Sequence, residues 1–442
     1  MDMVSRAGRA IQQLFGPLVE AAAATSGVIQ RQRSLTASSL ARTFVLGFLR
    51  KPRATDEDLA QMAAVCRTPV TPQAIEQRHT PRLVAFLGTL FRGAARVVVG
   101  SDRAVAAILE RFPAVTVLDS STIPLPEGQA KTYAGCGGSY GGGQAALKLQ
   151  TELDLRSGAL AHVEVEPGRR TDSATCRQHV RRGPGSLRIT DLGYFCLAVF
   201  AAMTRAGEHF LSRLPFGTHV FPWDDAFVEL LPWLAAHGGP FVDARVLLGK
   251  SERLACRLIA WRVPEEQADR RRQKLRETHR RKWGRDPSTD RLAWCDWTIL
   301  VTSVPESRLT PREAVVLYRA RWQVELLFKR WKSQGLIAEL TGSTEVRQMV
   351  RLWARLLAVL VQHWLVAASG GGNPQMSWDK AYEAVRGFAG ALLAAWDRPL
   401  DLAVLLADLA RVLAKTCRQN QRRRPSNNNL LNDAQRLDYR LT

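Results

Sequence analysis

The sequence predicts a mixed α/β chain in which a strand-rich core is split by a β-rich insertion and flanked by helical regions. Three observations predict it. Between residues 114 and 190, short β-rich runs are separated by turn residues, and polar and apolar side chains alternate in the longest of them. A second set of alternating runs, at 241–248, 254–263 and 294–304, follows after a gap. Outside these two blocks, apolar residues recur at helical spacing behind capping residues.

The elements follow in chain order. Residues 1–110 read as helical. Thr55 caps a helix whose first turn carries Asp56, Glu57 and Asp58, acids that suit the positive end of a helix, and Leu59, Met62 and Ala63 form its apolar stripe. After a break at 67–69, Thr71 caps and Pro72 opens a second helix ending near Arg78. Such a pair resembles a helix-turn-helix, which would seat its second helix in a major groove; a plain packing unit fits it equally well. Val115-Thr116-Val117-Leu118 is a first strand that stops at Asp119. The glycine-rich turn at 135–143 lacks the GK[ST] ending of a phosphate-cradling loop and reads as a hairpin connection. Residues 146–155 and 159–166 are the next two strands, 176–180 are helix-like, and 187–190 form a fourth strand ending at Asp191. Three meandering strands, a helix and a fourth strand is the order of the RNase H-like fold, whose first and fourth strands lie side by side. Asp119 and Asp191 would then face each other at neighbouring strand ends.

From 215 to 305 the chain departs from that compact core. The basic run from Arg270 to Lys282 separates the last two strands of this insertion as a helical or disordered excursion. Residues 346–368 form one more apolar helix, 370–374 a glycine-rich linker, and 377–411 helical sequence. Arg422, Arg423 and Arg424, followed by Asn427–Asn429, make a frayed basic tail. The expected organisation is a helical DNA-binding domain (1–112), an RNase H-like catalytic core in two parts (113–214 and 306–370) around the β-rich insertion (215–305), and a helical C-terminal region with a basic tail (371–442).

Composition narrows the function. Sixty-two Lys and Arg stand against 41 Asp and Glu, a formal net charge of +21, which points to a polyanionic partner, DNA or RNA first. A membrane-surface protein would need an amphipathic anchor or a long apolar span; the longest apolar stretch, at 356–368, is too short and is interrupted by Gln362 and His363. The first residues lack the charged-then-apolar pattern of a secretion signal. Seven scattered cysteines, never spaced as CxxC, exclude a zinc ribbon and suit reduced thiols in a cytosol.

Residues 317–333 carry the densest pattern. At about 100° per residue, Tyr318, Arg321, Glu325 and Lys332 fall within about 60° of one another on a helix, while Ala320, Val324, Leu327 and Trp331 form the face to be buried. A surface helix laced with salt bridges is the bland alternative; a helix built around a phosphate and a metal is the sharper one. Tyr318-x2-Arg321-x3-Glu325-x6-Lys332 resembles in full the YREK signature of the cut-and-paste DDE transposases of the insertion sequence four family. The resemblance extends to Val117-Leu118-Asp119, to Asp191-Leu192-Gly193-Tyr194-Phe195, and to the strand Trp297-Thr298-Ile299-Leu300-Val301-Thr302. It is specific from Val115 to Ser333.

The resemblance implies a catalytic triad of Asp119, Asp191 and Glu325 holding two Mg²⁺ ions about 3.5–4 Å apart, with Mn²⁺ as a substitute. Tyr318, Arg321 and Lys332 would hold DNA phosphates. Trp297 would receive a flipped base in relatives that form a hairpin, or else would be a core residue of an alternating strand. It also implies transposition of an insertion sequence, with double-stranded DNA, both transposon ends and target, as partner, a homodimer in the synaptic complex, no membrane, and a bacterial cytoplasmic location at the nucleoid. The rivals are a non-catalytic DNA-binding regulator on the same scaffold and an RNase H-like nuclease or junction resolvase, which would need neither the insertion nor the signature helix.

Overall fold

The structure is a computed structural model that describes residues 3–30, 35–100, 106–137, 144–223, 226–237, 241–370, 373, 375–420 and 426–437. The chain divides into two compact units. The first comprises Met1–Val105, Asp119–Arg170 and Gln323–Gln421; the second comprises Ala106–Leu118, Thr171–Trp322 and Arg422–Thr442. Among the described residues there are nine strands: β1 Val115–Pro124, β2 Ala146–Asp154, β3 Leu160–Pro167, β4 Leu187–Thr190, β5 His209–Arg213, β6 Val220–Pro222, β7 Phe241–Leu248, β8 Leu254–Arg262 and β9 Trp297–Thr302.

The first unit is mainly helical and is organised around the 26-residue helix Glu345–Gly370. By length and composition alone this helix could cross a membrane, but 94% of its apolar window is buried within the protein, which makes it a core helix. Helices Pro81–Ala94, Ala37–Arg50 and Pro399–Thr416 pack on it. Its buried Arg355 and His363 are matched. The Arg355 guanidinium donates to Pro52 O at 2.9 Å, to Leu336 O at 3.1 Å and to Glu339 O. His363 Nε2 lies 2.9 Å from Gly158 O, which only accepts, so Nε2 carries the proton and Nδ1 accepts from Tyr382 Oη at 3.1 Å. Tyr382 Oη in turn accepts from Trp331 Nε1 at 3.4 Å. The expected capping residues act as such: Thr55 Oγ1 accepts from Asp58 N at 3.3 Å and Thr71 Oγ1 from Ala74 N at 3.2 Å. Strands β3, β2 and the end of β1 from Asp119 onward complete this unit, in that order, β2 and β3 antiparallel.

The second unit holds the strand order β1-β4-β5-β9-β8-β7-β6. Val115–Leu118 pairs in parallel with Leu187–Thr190, which pairs in parallel with β5; the remaining neighbours are antiparallel. The order β3-β2-β1 in one unit and the parallel set β1-β4-β5 in the other are the pairings expected of an RNase H-like core. Phe200 stacks on Phe210 at 4.3 Å within an apolar cluster that includes Val246, Leu258, Trp297 and Val301.

Several elements differ from expectation. β1 continues past Asp119 to Pro124, because Ser121 and Ile123 are buried and alternate with exposed Thr122 and Pro124. Residues 176–180 make only a short 3₁₀ turn, Cys176–His179; the carbonyls of Gln178 and Val180 accept from the buried Arg188 guanidinium at 2.7 and 2.5 Å instead of extending a helix. The signature segment is two helices, Pro311–Ala320 and Trp322–Ser333, which meet at Arg321; the Arg321 N–H bonds Tyr318 O at 3.1 Å, an i→i−3 tightening of the last turn. The buried face is as expected, with Ala320, Val324, Leu327 and Trp331 all inside. The basic excursion is an α-helix, Glu265–Trp283. Residues 377–411 are three helices, broken at Phe388 and again before Pro399. The helices Leu197–Arg205 and Leu230–Ala236 and strands β5 and β6 had no counterpart in the sequence reading. Residues 138–143 of the glycine turn, 371, 372 and 374 of the linker, and 421–425 of the tail lie outside the described residues; Asn427–Asn432 is a short helix capped by Ser426.

Burial holds the His363 imidazole at about 4, below its ordinary 6.5. The fold therefore keeps it neutral while the unfolded chain takes up a proton below about pH 6.5. This contribution is fully present above pH 6.5 and is lost as pH falls toward 4, about 3 kcal/mol in all. Urea unfolding from pH 7 to 4 should thus show a shallower loss of stability in His363→Gln than in the wild type; parallel curves would remove His363 as the cause.

Candidate active site

The second unit assembles a polar cluster where β4 ends. Leu118 and Thr190 are the last pair of the parallel ladder, and Asp191 is the next residue along β4. Freed from the ladder, the Asp191 backbone opens a 3₁₀ turn through Tyr194 N, which bonds Asp191 O at 3.0 Å. Its side chain accepts from Tyr318 Oη at 3.3 Å. Burial first, and then the Asp191 charge, push the Tyr318 phenol well above its ordinary pKa, so it stays a neutral donor. The Arg321 guanidinium lies 5.9 Å from the Tyr318 ring centre.

Tyr318 and Arg321 open onto a cavity of about 410 Å³ lined also by Arg213, Trp261, Arg271, Thr298, Arg319 and Trp322. Four guanidiniums and no carboxylate line it. Arg213 ends β5, and Trp261 and Thr298 are paired neighbours on β8 and β9. Arg271 reaches in from the basic helix, donating to Thr298 Oγ1 at 3.1 Å and to Trp297 O at 3.2 Å. Burial, and then the charge on Arg213, lower the Arg271 pKa; burial alone lowers that of Arg319. Cations held under such desolvation and mutual repulsion favour an arriving anion.

The remaining expected residues lie as follows. In the first unit, Asp119 is half-buried on β1, and its Oδ1 accepts from Ser120 N at 2.8 Å. Glu325 stands half-buried in the first turn of the Trp322–Ser333 helix, and Lys332 in its last turn. Burial lowers the Lys332 ammonium pKa, a cost that a phosphate would offset. In the second unit Trp297 is only 4% exposed, inside the apolar cluster, with Arg262 over its ring at 5.3 Å. The structure thus brings Asp191, Tyr318 and Arg321 together directly and ties the Trp297 backbone to their cavity through Arg271. Sequence reasoning missed Arg213, Arg319 and Arg271. Arg319 sits inside the signature and Arg271 inside a triple-arginine run, whereas nothing in the sequence marks Arg213.

Asp119, Asp191 and Glu325 each offer only carboxylate oxygens, a donor chemistry that suits a hard divalent cation.

Residues 110–361 match the family model described as the transposase DDE domain. The transposase for insertion sequence element IS231B of Bacillus thuringiensis subsp. berliner is 27% identical over 375 residues, 79% of this chain and 77% of that relative. The transposase for IS1151 of Clostridium perfringens is 24% identical over 339 residues, 70% of each chain. The putative transposase InsL for IS186A of Escherichia coli (strain K12) is 34% identical over 105 residues, 24% of this chain and 28% of the relative. With more than half of its length inside the matched span, the chain belongs to the transposase DDE domain family.

Proposed function

We propose that the protein is the transposase of an insertion sequence, which binds the terminal inverted repeats of its own element and cleaves and transfers strands by a Mg²⁺-dependent, cut-and-paste route. It acts on double-stranded DNA at both transposon ends and target, as a homodimer in the synaptic complex, in the bacterial cytoplasm at the nucleoid. One observation carries the reading. Asp191 and Tyr318, 127 positions apart, are members of two separate motifs of one resemblance and share a hydrogen bond beside a cavity of guanidiniums. The excess of cations over the whole chain and the names of its relatives support the same reading.

In this reading Asp119, Asp191 and Glu325 hold two metal ions. When bound, the ions supply a nucleophile at neutral pH and offset charge on the reacting phosphate. The chain's own residues do the rest. Tyr318 donates to Asp191 and fixes the orientation of that carboxylate. Arg321 and Arg213 present planar donors to phosphate oxygens, and Lys332 adds a point charge. Arg271, clamped by Thr298 and the Trp297 carbonyl, holds a further cation in place without rotamer loss on binding.

Asp119→Asn, Asp191→Asn and Glu325→Gln should each abolish cleavage of a duplex carrying the element's ends while leaving its binding intact, since an amide keeps the shape but loses the charge that holds the metal. Residual cleavage within about tenfold of wild type, about 1.4 kcal/mol of barrier, removes that residue from the triad. Wild-type protein that binds the ends without ever cutting them would instead favour the DNA-binding regulator.

Tyr318→Phe deletes only the hydroxyl that meets Asp191. A hydrogen bond to a charged group is worth about 1.5–3 kcal/mol, so single-turnover cleavage should slow by about ten- to a hundredfold with end affinity within about threefold. An equal fall in affinity and rate would make Tyr318 a phosphate contact rather than a positioning residue.

A further inference from the structure

Apart from Arg271, the Glu265–Trp283 helix has no part in the reading above. Its inner face is fixed: Ala268 and His279 are buried, Arg271 is clamped to β9, and Arg272 pairs with Glu265 at 2.8 Å, Asp269 at 2.6 Å and Asp296. Its acids gather in the first turns, where Glu265, Glu266 and Asp269 neutralise Arg270 and Arg272. The C-terminal half differs. From Lys274 to Arg285 six cations, Lys274, Arg276, Arg280, Arg281, Lys282 and Arg285, stand against one carboxylate, Glu277. All six are exposed, and among the described residues only Arg280 forms an ion pair, with Asp286 at 2.7 Å.

On the helix, Lys274, Arg276, Arg280 and Arg281 fall within about 160° of one another, on the side away from Ala268 and His279. The helix itself ends at Lys282 and Trp283, both exposed, with the Lys282 ammonium 5.9 Å from the ring centre of an indole that is 54% exposed. Complementing the helix C-terminus requires only one or two cations in the last turn, and it requires no exposed indole. A solubility device would intersperse both signs, as the first turns do. Cations this close repel one another, and the arrangement is relieved only by a dense line of negative charge. A lipid surface is the poorer fit, because apart from the single Trp283 at its end this helix offers no exposed apolar side for acyl chains. Duplex DNA offers about one charge per 1.7 Å of axis, matching a rigid stripe of exposed cations.

We propose that the outer face of this helix is a docking surface for the phosphate backbone of duplex DNA, read without regard to base sequence, with Trp283 packing against deoxyribose at its end. The inference rests on the transposase reading only for the identity of the polyanion. Through Arg271 on its inner face, the same helix would join this surface to the Tyr318–Arg321 cavity.

The test uses the full-length protein and the variant K274Q/R276Q/R281Q/K282Q with a fluorescein-labelled duplex of random sequence. Affinity is measured across a salt series, thermal melting by circular dichroism, and metal-dependent cleavage on a duplex carrying the element's ends. Each lost phosphate contact lowers the slope of log affinity against log salt by about 0.9, so the variant should bind at least tenfold more weakly in low salt, with a slope shallower by about two to four and unchanged melting. An unchanged slope in a protein that still cleaves overturns the docking surface and leaves the transposase reading standing. A shallower slope in the variant, with wild-type protein that cleaves nothing, supports the surface and removes the transposase reading. Polyglutamate that competes as well as duplex at equal charge would also overturn the proposal, since the stripe would then bind any polyanion.

Discussion

The second unit depends on the parallel pairing of Val115–Leu118 with Leu187–Thr190. All eight residues are buried, so neither strand has a solvent face, and a slip of one residue would turn Val117 and Ile189 to the wrong side. Parallel strands cannot be joined by a tight turn, and the chain between them must return to the starting end. Arg188 secures that return: its buried guanidinium holds the carbonyls of Gln178 and Val180 just before β4 begins. With the ladder fixed in this way, Thr190 is its last member and the Asp191 side chain is delivered to Tyr318 at the carboxyl end of the strand. Such strand ends are where open α/β sheets gather their chemistry.

Buried polar groups are treated differently in the two units. In the first, the deepest of them find neutral partners: Arg355 reaches carbonyls, and Trp331, Tyr382 and His363 run in a chain to Gly158. That network satisfies the rule that buried donors must be matched, and it anchors the helix that carries Glu325 and Lys332. In the second, Arg213, Arg271, Arg319 and Arg321 line one cavity without a carboxylate among its walls. A fold seeking stability alone would not collect four like charges there, so the cavity is better understood as a ligand's share of the electrostatics.

Local patterns made some of this legible. β7 alternates in sequence, Thr55 and Thr71 stand at true helix starts, and the two motifs of the resemblance named Tyr318 and Asp191 before their contact was visible. Other elements left no trace. β5 is a short buried strand between parallel β4 and antiparallel β9, and its central Phe210-Leu211-Ser212 shows no alternation because both faces are covered. The division of the signature segment at Arg321 is invisible because that residue keeps helical dihedrals, φ −50° and ψ −33°. Arg213 matters only through partners far away in sequence. Trp297 shows the opposite difficulty: an alternating strand allows a tryptophan on either side, and only tertiary packing reveals an indole buried in the same apolar cluster as Val199, Leu258 and Val301.

β8 and β9 stay paired up to Arg262 and Trp297, and Val263 N bonds Asp296 O at 2.8 Å. Residues 263–296 therefore leave the sheet and return at a single point; in topological terms the basic helix is a hairpin loop grown long. Lengthening such a loop costs only about 0.6 kcal/mol per doubling and shifts no strand register. This stretch can gain, lose or recharge turns over generations while Asp191 and Tyr318 stay where they are. Divergence among related chains has a natural outlet here, and an engineer who wished to graft a different nucleic-acid-binding element would find the attachment point already built.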